Sequence, residues 1–560
     1  GKKFPWIALD RLLRRSGHLL DRLWSVAAAP DTIRRPGPLY TDQRSGTSEM
    51  VEAVENLRIR ATAQLETDRR SELGQFMTPA PVAGLIAGMI TGEGEHVRIL
   101  EPGAGVGSLV AAAVAELCAR PRRPRRISVT AYELDAQLLA HLPETFEHCR
   151  ALCAGAGVEF ESEAIHGDFI ERAVELLDGE HGLFGGTGRS QYDLVITNPP
   201  YKKLHTESTH RKLLRRVGIE TSNLYTAFLG LAVKLLRDGG EMVAITPRSF
   251  CNGPYFRPFR EFLLHETVVN RVHLFESRKT AFKDDAVLQE NVIFRVTRGG
   301  EPGPVLITLG AAAPDAVSSE RIIRYDQLVW PGDPQRFIHI VPSDAGQEVA
   351  DRMRRFACSL EDLGIDVSTG RVVDFRAKAQ LRKDPEDGAA PLIYPTHFSR
   401  GFIRWPIDGG RKPNALHVDS YTRSQLVPMG TYVLVKRFSA KEERRRIVAT
   451  IFDPGRIRGG AEGVGFENKL NYFHQDGEGL DPQLAMGLSV FLNSTLVDLF
   501  FRQFSGHTQV NATDLRMLAY PSVQELLALG AAVGPEFPDQ EGIDEIMQRE
   551  LLAQTSPGDA

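Results

Sequence analysis

The sequence predicts an α/β protein with a mostly parallel sheet in its first half and a second, mixed α/β domain after it. Between residues 71 and 297, short apolar runs alternate with helical stretches, which is the pattern of βαβ units. The chain has 560 residues, which is too long for one ordinary domain. Its 42% hydrophobic and 25% charged residues are typical of a globular protein.

The elements follow one another in five predicted segments. Residues 1–70 are predicted to be a short helical region and 71–300 the parallel-sheet domain. The Gly- and Pro-rich stretch that begins near residue 297 predicts a connecting segment over 301–345. Residues 346–538 are the predicted second domain, and 539–560 are expected to be a polar tail.

Composition restricts the class of protein. No stretch approaches the roughly 18 consecutive apolar residues of a membrane helix, and the first ten residues do not resemble a signal peptide. The 5 cysteines are sparse, and no second pair completes a zinc site with Cys149 and Cys153, so we expect no metal and a cytoplasmic protein. The net charge of −5 does not indicate a nucleic-acid partner, but basic clusters at 122–126, 211–216 and 444–446 allow a local basic groove.

A glycine-rich turn follows the first apolar run of the sheet domain. Gly103, Gly105 and Gly107 let a ligand approach the backbone, and the helix after them offers free N–H groups. The turn lacks the dinucleotide spacing and the Gly-Lys-Ser/Thr of a phosphate loop. Glu101, which opens the turn, would repel a phosphate, so the turn favours a cationic ligand.

Acidic residues come at the ends of the next two runs. Glu133 stands where dinucleotide folds bind ribose hydroxyl groups. Asp168 is placed to accept a hydrogen bond from an adenine amino group, with Phe169 beside the ring. A surface role for either acid alone is equally compatible with the sequence, but their order at successive strand ends favours a nucleoside site.

The tetrapeptide Asn198-Pro199-Pro200-Tyr201 follows the apolar run 192–197. Two prolines end the strand and stiffen the turn at its carboxyl end, where open α/β sheets bind ligands. The Asn198 amide oxygen and the Pro199 carbonyl supply two acceptors, and Tyr201 supplies a stacking face. This combination suits an exocyclic amino group on a flat ring, such as adenine N6.

The order of these motifs resembles that of class I S-adenosylmethionine-dependent DNA adenine-N6 methyltransferases of the gamma arrangement. In that family the cofactor motifs come first, the catalytic tetrapeptide next and target recognition last. The resemblance implies a Rossmann-like methyltransferase domain, a C-terminal DNA target-recognition domain and S-adenosylmethionine as cofactor. Residues 491–496 and 503–515 resemble the recognition region of type II restriction-modification enzymes of the Eco57I and PaeR7I kind.

The resemblance also assigns roles to single residues. Thr78 and Pro79 match a motif that helps enclose the cofactor, and Phe282 matches an aromatic residue that contacts the flipped adenine, with Phe275 as the alternative. Arg reading guanine and Asn or Gln reading adenine is sound geometry, although these polar residues could equally satisfy buried backbone groups. The DNA-binding candidates are Lys202, Lys203, Arg437, Lys441, Asn468, Lys469, His507, Gln509 and Asn511.

We therefore expect methyl transfer to adenine N6 in duplex DNA, with the base flipped out of the helix. The expected partners are double-stranded DNA and a separately encoded restriction endonuclease, and the enzyme is expected to be a monomer. Methylation of RNA adenine or of protein glutamine is an alternative, because both chemistries use the same tetrapeptide. Further alternatives are a DNA-binding module without catalysis and a bifunctional nuclease suggested by Asp453, Glu467 and Lys469.

Overall fold

The structure is a computed structural model. It describes residues 45–64, 77–179, 192–275, 290–311, 317–439, 443–457, 463–504 and 509–552. Three predicted site residues, Phe282, Lys441 and His507, lie outside these ranges, as does most of the N-terminal region that the sequence predicts to be helical.

The first domain contains one nine-stranded sheet. Its strands are β1 (His96–Pro102), β2 (Arg126–Glu133), β3 (Glu159–His166), β4 (Tyr192–Thr197), β5 (Leu236–Pro247), β6 (Thr267–Phe275), β7 (Asn291–Arg298), β8 (Val305–Gly310) and β9 (Val317–Ile323). Their order is β3-β2-β1-β4-β5-β7-β6-β8-β9. The first five strands in this order are parallel to one another, whereas β7 is antiparallel to both β5 and β6. The predicted α/β class with a mostly parallel sheet is therefore confirmed.

Helices cover both faces of this sheet. In chain order they are α1 (Ser45–Gln64), α2 (Ala80–Ala87), α3 (Ser108–Ala119), α4 (Ala136–Leu139), α5 (Leu142–Ala156), α6 (Phe169–Gly179), α7 (Thr209–Arg216), α8 (Leu224–Leu235), α9 (Arg257–Glu266) and α10 (Tyr325–Leu328). Apolar side chains of α6, α8 and α9 form one core with the sheet, and those of α1, α2, α3 and α5 form the other. This two-sided burial explains why the parallel strands are continuous apolar runs.

The first domain continues beyond the boundary expected at residue 300. β8 pairs in parallel with β6, and β9 pairs antiparallel with β8, so both strands extend the sheet. The glycine-rich stretch 299–304 is a connection between β7 and β8 and does not separate domains. The expected connecting segment 301–345 is therefore corrected: its first part belongs to the sheet because Val305, Leu306 and Ile307 are buried.

The second domain combines two sheets with a helical cluster. Its strands are β10 (Asp366–Thr369), β11 (Leu381–Arg382), β12 (Ala389–Ile393), β13 (Phe398–Ser399), β14 (Phe402–Ile403), β15 (Ala415–His417), β16 (Leu426–Pro428), β17 (Tyr432–Lys436), β18 (Ala449–Phe452), β19 (Gly463–Phe466) and β20 (Leu470–His474). They form sheets of order β10-β20-β17-β18-β14-β13 and β11-β15-β12-β19-β16. The helices are α11 (Asp344–Met353), α12 (Pro482–Leu492), α13 (Thr495–Phe504), α14 (Ala512–Arg516), α15 (Val523–Ala531) and α16 (Gln540–Met547).

The expected polar tail also needs correction. Residues 540–547 form α16, which begins at the N-cap Asp539, whose side chain accepts a hydrogen bond from the Gly542 amide. Ile543, Ile546 and Met547 of this helix are buried in the core of the second domain. The apolar spacing of three and four residues places these side chains on one helical face.

No single helix in the described part of the chain is long and apolar enough to cross a membrane. One bent pair, Pro482–Leu492 with Thr495–Gln503, meets the requirement by length and composition when both helices are taken together.

Candidate active site

Four neighbouring strands end at the edge of the sheet that carries the candidate site. β1 and β2 are in register through Pro102 and Tyr132, and β2 and β3 through Glu133 and His166. The glycine turn follows β1, Asp168 follows β3 and Asn198 follows β4. Because parallel strands place their carboxyl ends together, motifs that are up to about a hundred residues apart in sequence become neighbours.

A cavity of about 220 Å³ lies at this edge. Most of the predicted cofactor residues and part of the catalytic tetrapeptide line it. These residues are Thr78, Glu101, Gly103, Gly105, Glu133, Asp168, Phe169, Asn198, Pro200 and Lys202. Met77, His210, Leu224 and Phe228 line it as well. One cavity therefore joins the two sets of residues that the sequence assigns to cofactor and to catalysis.

Two predicted cofactor residues, Pro79 and Gly107, are not among the described residues of the cavity wall. Pro79 is the N-cap of α2, and Gly107 is the N-cap of α3 with φ of +85°. A Cβ at Gly107 would lie 2.9 Å from Thr145 Cγ2. Both residues therefore shape the turns beside the cavity, and the left-handed φ explains the need for glycine.

Glu133 links the second strand to the glycine turn. Its Oε2 accepts a hydrogen bond of 2.7 Å from the Gly105 amide, and its Oε1 accepts one of 2.8 Å from the Asp135 amide. Burial raises the pKa of this carboxyl group, while these backbone donors lower it. Backbone amides of two different segments thus fix the position of this carboxylate beside the cavity.

Glu101 is the most buried acid of the cavity, with 1% of its surface exposed. Burial raises its pKa well above the usual value, and the negative charge of nearby Glu133 adds to this effect. The Val110 amide donates to Glu101 Oε2 over 3.3 Å and opposes it. A buried acid beside a second acid favours a cationic ligand, because a positive charge would offset the cost of ionisation.

Asp168 is paired with His210, which the sequence analysis did not identify. His210 Nε2 lies 2.9 Å from Asp168 Oδ2, while Asp168 Oδ1 accepts from the Ile170 amide over 2.8 Å. Burial raises the pKa of Asp168, but the hydrogen bond and charge of His210 outweigh it and the net pKa is lowered. The hydrogen bond to Asp168 raises the pKa of His210. The pair is thus favoured in its ionised form.

Phe169 does not stand alone beside the cavity. Its ring centroid is 5.4 Å from that of Tyr132 and 5.1 Å from that of Phe228. Only 3% of Phe169 is exposed. The ring is therefore held by two aromatic neighbours from β2 and α8, and it forms part of a fixed apolar wall.

Both polar atoms of the Asn198 side-chain amide make hydrogen bonds. Its Nδ2 donates to Thr78 Oγ1 over 3.1 Å, and its Oδ1 accepts from the Tyr201 hydroxyl over 2.9 Å. The Tyr201 hydroxyl also lies 3.3 Å from the Ile245 carbonyl oxygen. Tyr201 packs edge-on against Tyr225, with centroids 6.2 Å apart. The motif around Thr78 is thus connected directly to the tetrapeptide.

Several predicted DNA-binding residues meet in the second domain. Arg437 Nε lies 3.4 Å from Asn511 Oδ1, and its Nη2 lies 3.5 Å from Gln509 Oε1. Its Nη1 donates to the Asn468 carbonyl oxygen over 3.3 Å. Asn511 also caps α14. These residues form a polar cluster whose members contact one another, so they stabilise the fold of the second domain.

The three lysine candidates within the described residues, Lys202, Lys203 and Lys469, are exposed. Lys202 and Lys203 follow the tetrapeptide. Lys469 Nζ lies 3.4 Å from Glu467 Oε1, and Glu467 itself is fully buried. Asp453, which the nuclease alternative joins to these two residues, accepts from the Gly455 amide and pairs with Arg456.

Two full-length relatives are similar to this chain. The type II methyltransferase M.PstI of Providencia stuartii is 44% identical over 500 residues, which is 89% of this chain and 96% of the relative. M.BsuBI of Bacillus subtilis is 43% identical over 510 residues, covering 90% of this chain and 99% of the relative. The chain belongs to the type II DNA methyltransferases of restriction-modification systems. The family model described as Eco57I restriction-modification methylase matches residues 144–282 of this methyltransferase.

A solved structure extends the likeness to the fold of nearly the whole methyltransferase. The type IIL restriction-modification enzyme MmeI in complex with DNA matches with a TM-score of 0.50 at 11% identity. The match covers 91% of this chain and 74% of MmeI. The expected family and the α/β fold are therefore confirmed, and the protein is a DNA methyltransferase of a restriction-modification system.

Proposed function

We propose that this methyltransferase transfers a methyl group from S-adenosylmethionine to adenine N6 in duplex DNA. The observation that carries the proposal is the shared cavity, which is lined both by Glu101, Glu133 and Asp168 and by Asn198. A donor methyl group and an acceptor nitrogen must meet in such a space. S-adenosylmethionine, when bound, would supply a methyl group activated by its sulfonium centre.

The residues of the cavity suit the parts of this cofactor. Glu101 would offset the positive charge of the cofactor, because it is buried and prefers a cationic neighbour. Glu133 would accept from the ribose hydroxyl groups, and Asp168 from the adenine amino group, with Phe169 in the apolar wall. Thr78 would close the cavity from the side of the tetrapeptide.

Asn198 and Pro199 would activate the target nitrogen. The exocyclic nitrogen of adenine is a poor nucleophile because its lone pair is conjugated with the ring. Hydrogen bonds from N6–H to the Asn198 side-chain oxygen and the Pro199 carbonyl would favour a tetrahedral nitrogen and stabilise its developing positive charge. Holding the nitrogen in line with the methyl carbon supplies much of the remaining acceleration.

The target adenine would leave the helix and stack on Tyr201. In the structure the Tyr201 hydroxyl occupies the Asn198 oxygen that the target amino group requires. Entry of the base would therefore exchange this hydrogen bond for one from N6–H. Stacking, worth about 1–3 kcal/mol per base, would offset part of the cost of unstacking. Phe282, which lies outside the described residues, is the proposed second ring contact.

The proposal extends to the biological setting. The enzyme would act in the cytoplasm as a monomer and protect DNA from a separately encoded restriction endonuclease. The relatives' assignment to type II systems supports the endonuclease, since a type II methyltransferase modifies the site that a nuclease cuts. Lys202 and Lys203 would contact backbone phosphates, and the cluster around Arg437 together with Lys441, Lys469 and His507 would read or hold the target sequence.

The decisive experiment is labelled methyl transfer to unmethylated genomic DNA, followed by nucleoside digestion and mass analysis. We expect N6-methyladenine from the wild type and a loss of activity of about 10²-fold or more from Asn198→Ala. Cofactor binding by the variant, measured by calorimetry, should stay close to that of the wild type. Methylated cytosine, or activity only on RNA or on a protein, would refute the proposal.

A further inference from the structure

Tyr255 is the most exposed large apolar side chain in the described part of the chain, with an exposed fraction of 80%. It lies in the short 3-10 helix Pro254–Phe256, between β5 and α9. A single exposed aromatic residue is not unusual on a protein surface. The backbone contacts of this loop and its position beside the candidate active site point to a function for the exposed ring.

Backbone contacts hold the loop that carries Tyr255 in a tight turn. The Gly253 amide donates to the Ser249 carbonyl over 2.8 Å. A Cβ at Gly253 would lie 2.6 Å from that carbonyl oxygen, so the chain passes very close to itself. These contacts fix the backbone of the loop, so little backbone freedom is left to lose when Tyr255 contacts a ligand.

A buried arginine holds the same loop from below. Arg260 has no exposed surface, and its Nη1 donates to the carbonyl oxygens of Phe250 and Gly253 over 3.0 and 2.6 Å. Its Nε and Nη2 donate to the Gln335 carbonyl over 3.0 and 2.9 Å. Burial lowers the pKa of Arg260 to about 10. The buried guanidinium group of Arg260 thus anchors the loop.

The loop stands next to the catalytic turn. β5 is the parallel neighbour of β4, so the loop after β5 leaves the same edge of the sheet as the tetrapeptide. Tyr201 packs on Tyr225, and Tyr225 packs on Phe256 with centroids 5.6 Å apart. Tyr255 is therefore the residue adjacent to the end of a short chain of rings that begins at Tyr201.

The loop also borders the second domain. Arg248 Nη2 donates to the Gln503 carbonyl of α13 over 2.8 Å and to the Ile340 carbonyl over 3.0 Å. Tyr255 follows Arg248 by seven residues, so it lies in the segment that connects the catalytic edge with the second domain. A duplex that contacts both Asn198 and the second domain would run near this segment.

We propose that Tyr255 is a DNA-contacting residue that stacks on a base of the duplex beside the extruded adenine. The proposal rests on the function proposed above, because it takes Asn198 as the point at which the base is held. The ligand is a nucleobase, since the exposed feature is a flat ring and every base has a face that can stack on it. When the adenine leaves the helix, the adjacent base loses a stacking partner. The Tyr255 ring would stack on that base in its place.

The test compares Tyr255→Ala, Tyr255→Phe and the control Ile322→Ala on one mapped duplex site. Ile322 is 55% exposed on β9, the strand at the end of the sheet. We expect Tyr255→Ala to raise the KM for DNA about fivefold or more, while Tyr255→Phe, which keeps the ring, and Ile322→Ala stay within twofold of the wild type. Cofactor affinity and the unfolding temperature should not change in any variant, because Tyr255 is exposed.

Fluorescence of 2-aminopurine at the target position supplies a second readout. Tyr255→Ala should reduce the increase in fluorescence that accompanies base extrusion by the wild type. An unchanged KM in Tyr255→Ala, or an equal rise in Ile322→Ala, would overturn the proposal, and so would an equal loss in Tyr255→Phe. Failure of the proposed function would be seen separately, as absence of N6-methyladenine from the wild-type reaction.

Discussion

At the scale of single residues, the cavity places acids where water cannot easily reach them. Glu101 and Glu133 are 1% and 3% exposed. Asp168, by contrast, has a basic partner in His210. Before a ligand binds, Asp168 is therefore ionised more readily than Glu101 or Glu133. This difference in charge leads to two predictions.

Glu101→Gln should make the ligand-free protein more stable at neutral pH and weaken cofactor binding. The raised pKa of Glu101 means that the folded state binds the proton more tightly than the unfolded state. The stability that this proton contributes is present below the ordinary pKa of Glu and is lost as the pH rises through the raised value. The unfolding temperature of the variant relative to wild type should therefore increase as the pH is raised from about 4 to about 8.

Calorimetry provides the second half of this test. Affinity for S-adenosylmethionine should rise with pH in the wild type, because the cation requires ionised Glu101, and should rise less in Glu101→Gln. Glu144→Gln is the control, since Glu144 is 53% exposed and lies outside the cavity wall described above. Equal pH profiles for wild type and Glu101→Gln would contradict the argument.

His210→Ala should weaken cofactor binding about tenfold with little change in kcat at saturating cofactor. His210 holds Asp168 Oδ2, and hydrogen bonds to a charged group contribute about 1.5–3 kcal/mol. His210→Gln keeps a donor at this position and should restore part of the affinity. Titration of each variant with S-adenosylmethionine measures the effect, and tighter binding by His210→Ala would show that the histidine blocks the site.

These residues also show what a sequence can predict. Glu133, Asp168 and Asn198 were predicted because each follows an apolar run, and strand ends meet at one edge of a parallel sheet. His210 was not predicted, because it stands on α7 and only the folding of that helix against α6 brings it to Asp168. The mutual contacts of Arg437, Gln509 and Asn511 depend on pairing between distant strands and helices in the same way.

At the scale of elements, the turn from β1 to α3 fixes the floor of the cavity. Gly103, Gly105 and Gly107 all have positive φ, at 77°, 58° and 85°. The turn can therefore fold back and present its amides, including the Gly105 amide that Glu133 holds. Side chains are disfavoured in this conformation by about 1–2 kcal/mol per residue.

Gly107→Ala should destabilise the fold more than Gly157→Ala and should also weaken cofactor binding. Both glycines have positive φ, but a Cβ at Gly107 would lie 2.9 Å from Thr145 Cγ2 and 3.1 Å from Leu142 Cδ2. A Cβ at Gly157 would have nothing within 4 Å. We expect about 1 kcal/mol of lost stability for Gly157→Ala and about 2–4 kcal/mol for Gly107→Ala. Denaturant unfolding separates the two, and equal losses would mean that the contact with α5 is easily relieved.

The structure differs from the sequence-based prediction in two segments, and each difference has a physical reason. The Gly-Pro stretch before β8 is a turn signal, and such a signal cannot distinguish a short connection within one sheet from a domain boundary. α16 was overlooked because its surface face is polar, although Ile543, Ile546 and Met547 already show helical spacing. In both regions long-range burial, and not local composition, determines the structure.

At the scale of the whole molecule, packed rings hold the segment between α10 and α11 against the second domain. Trp330 stacks on His339 with centroids 3.9 Å apart, and both rings stack with Phe500 of α13. Burial lowers the pKa of His339 to about 3, so the ring stays neutral at neutral pH. Arg248 adds hydrogen bonds from the loop after β5 to the carbonyl oxygens of Ile340 and Gln503. The catalytic edge and the second domain are thus connected directly.

Arg248→Ala should therefore raise the KM for DNA and leave cofactor affinity unchanged. The substitution removes hydrogen bonds from a charged donor to the Ile340 and Gln503 carbonyls, and such bonds contribute about 1.5–3 kcal/mol each. The second domain would then be held less firmly against the catalytic edge, and a duplex that contacts both would have to restore their relative position on binding. Arg298→Ala is the matched control, because Arg298 also donates to two carbonyl oxygens, those of Lys234 and Leu236, but within the first domain. Steady-state kinetics and calorimetry should show a severalfold rise in KM for Arg248→Ala alone, with both variants losing some thermal stability. A similar rise in both variants would mean that general loss of stability, and not the link between the domains, controls DNA binding.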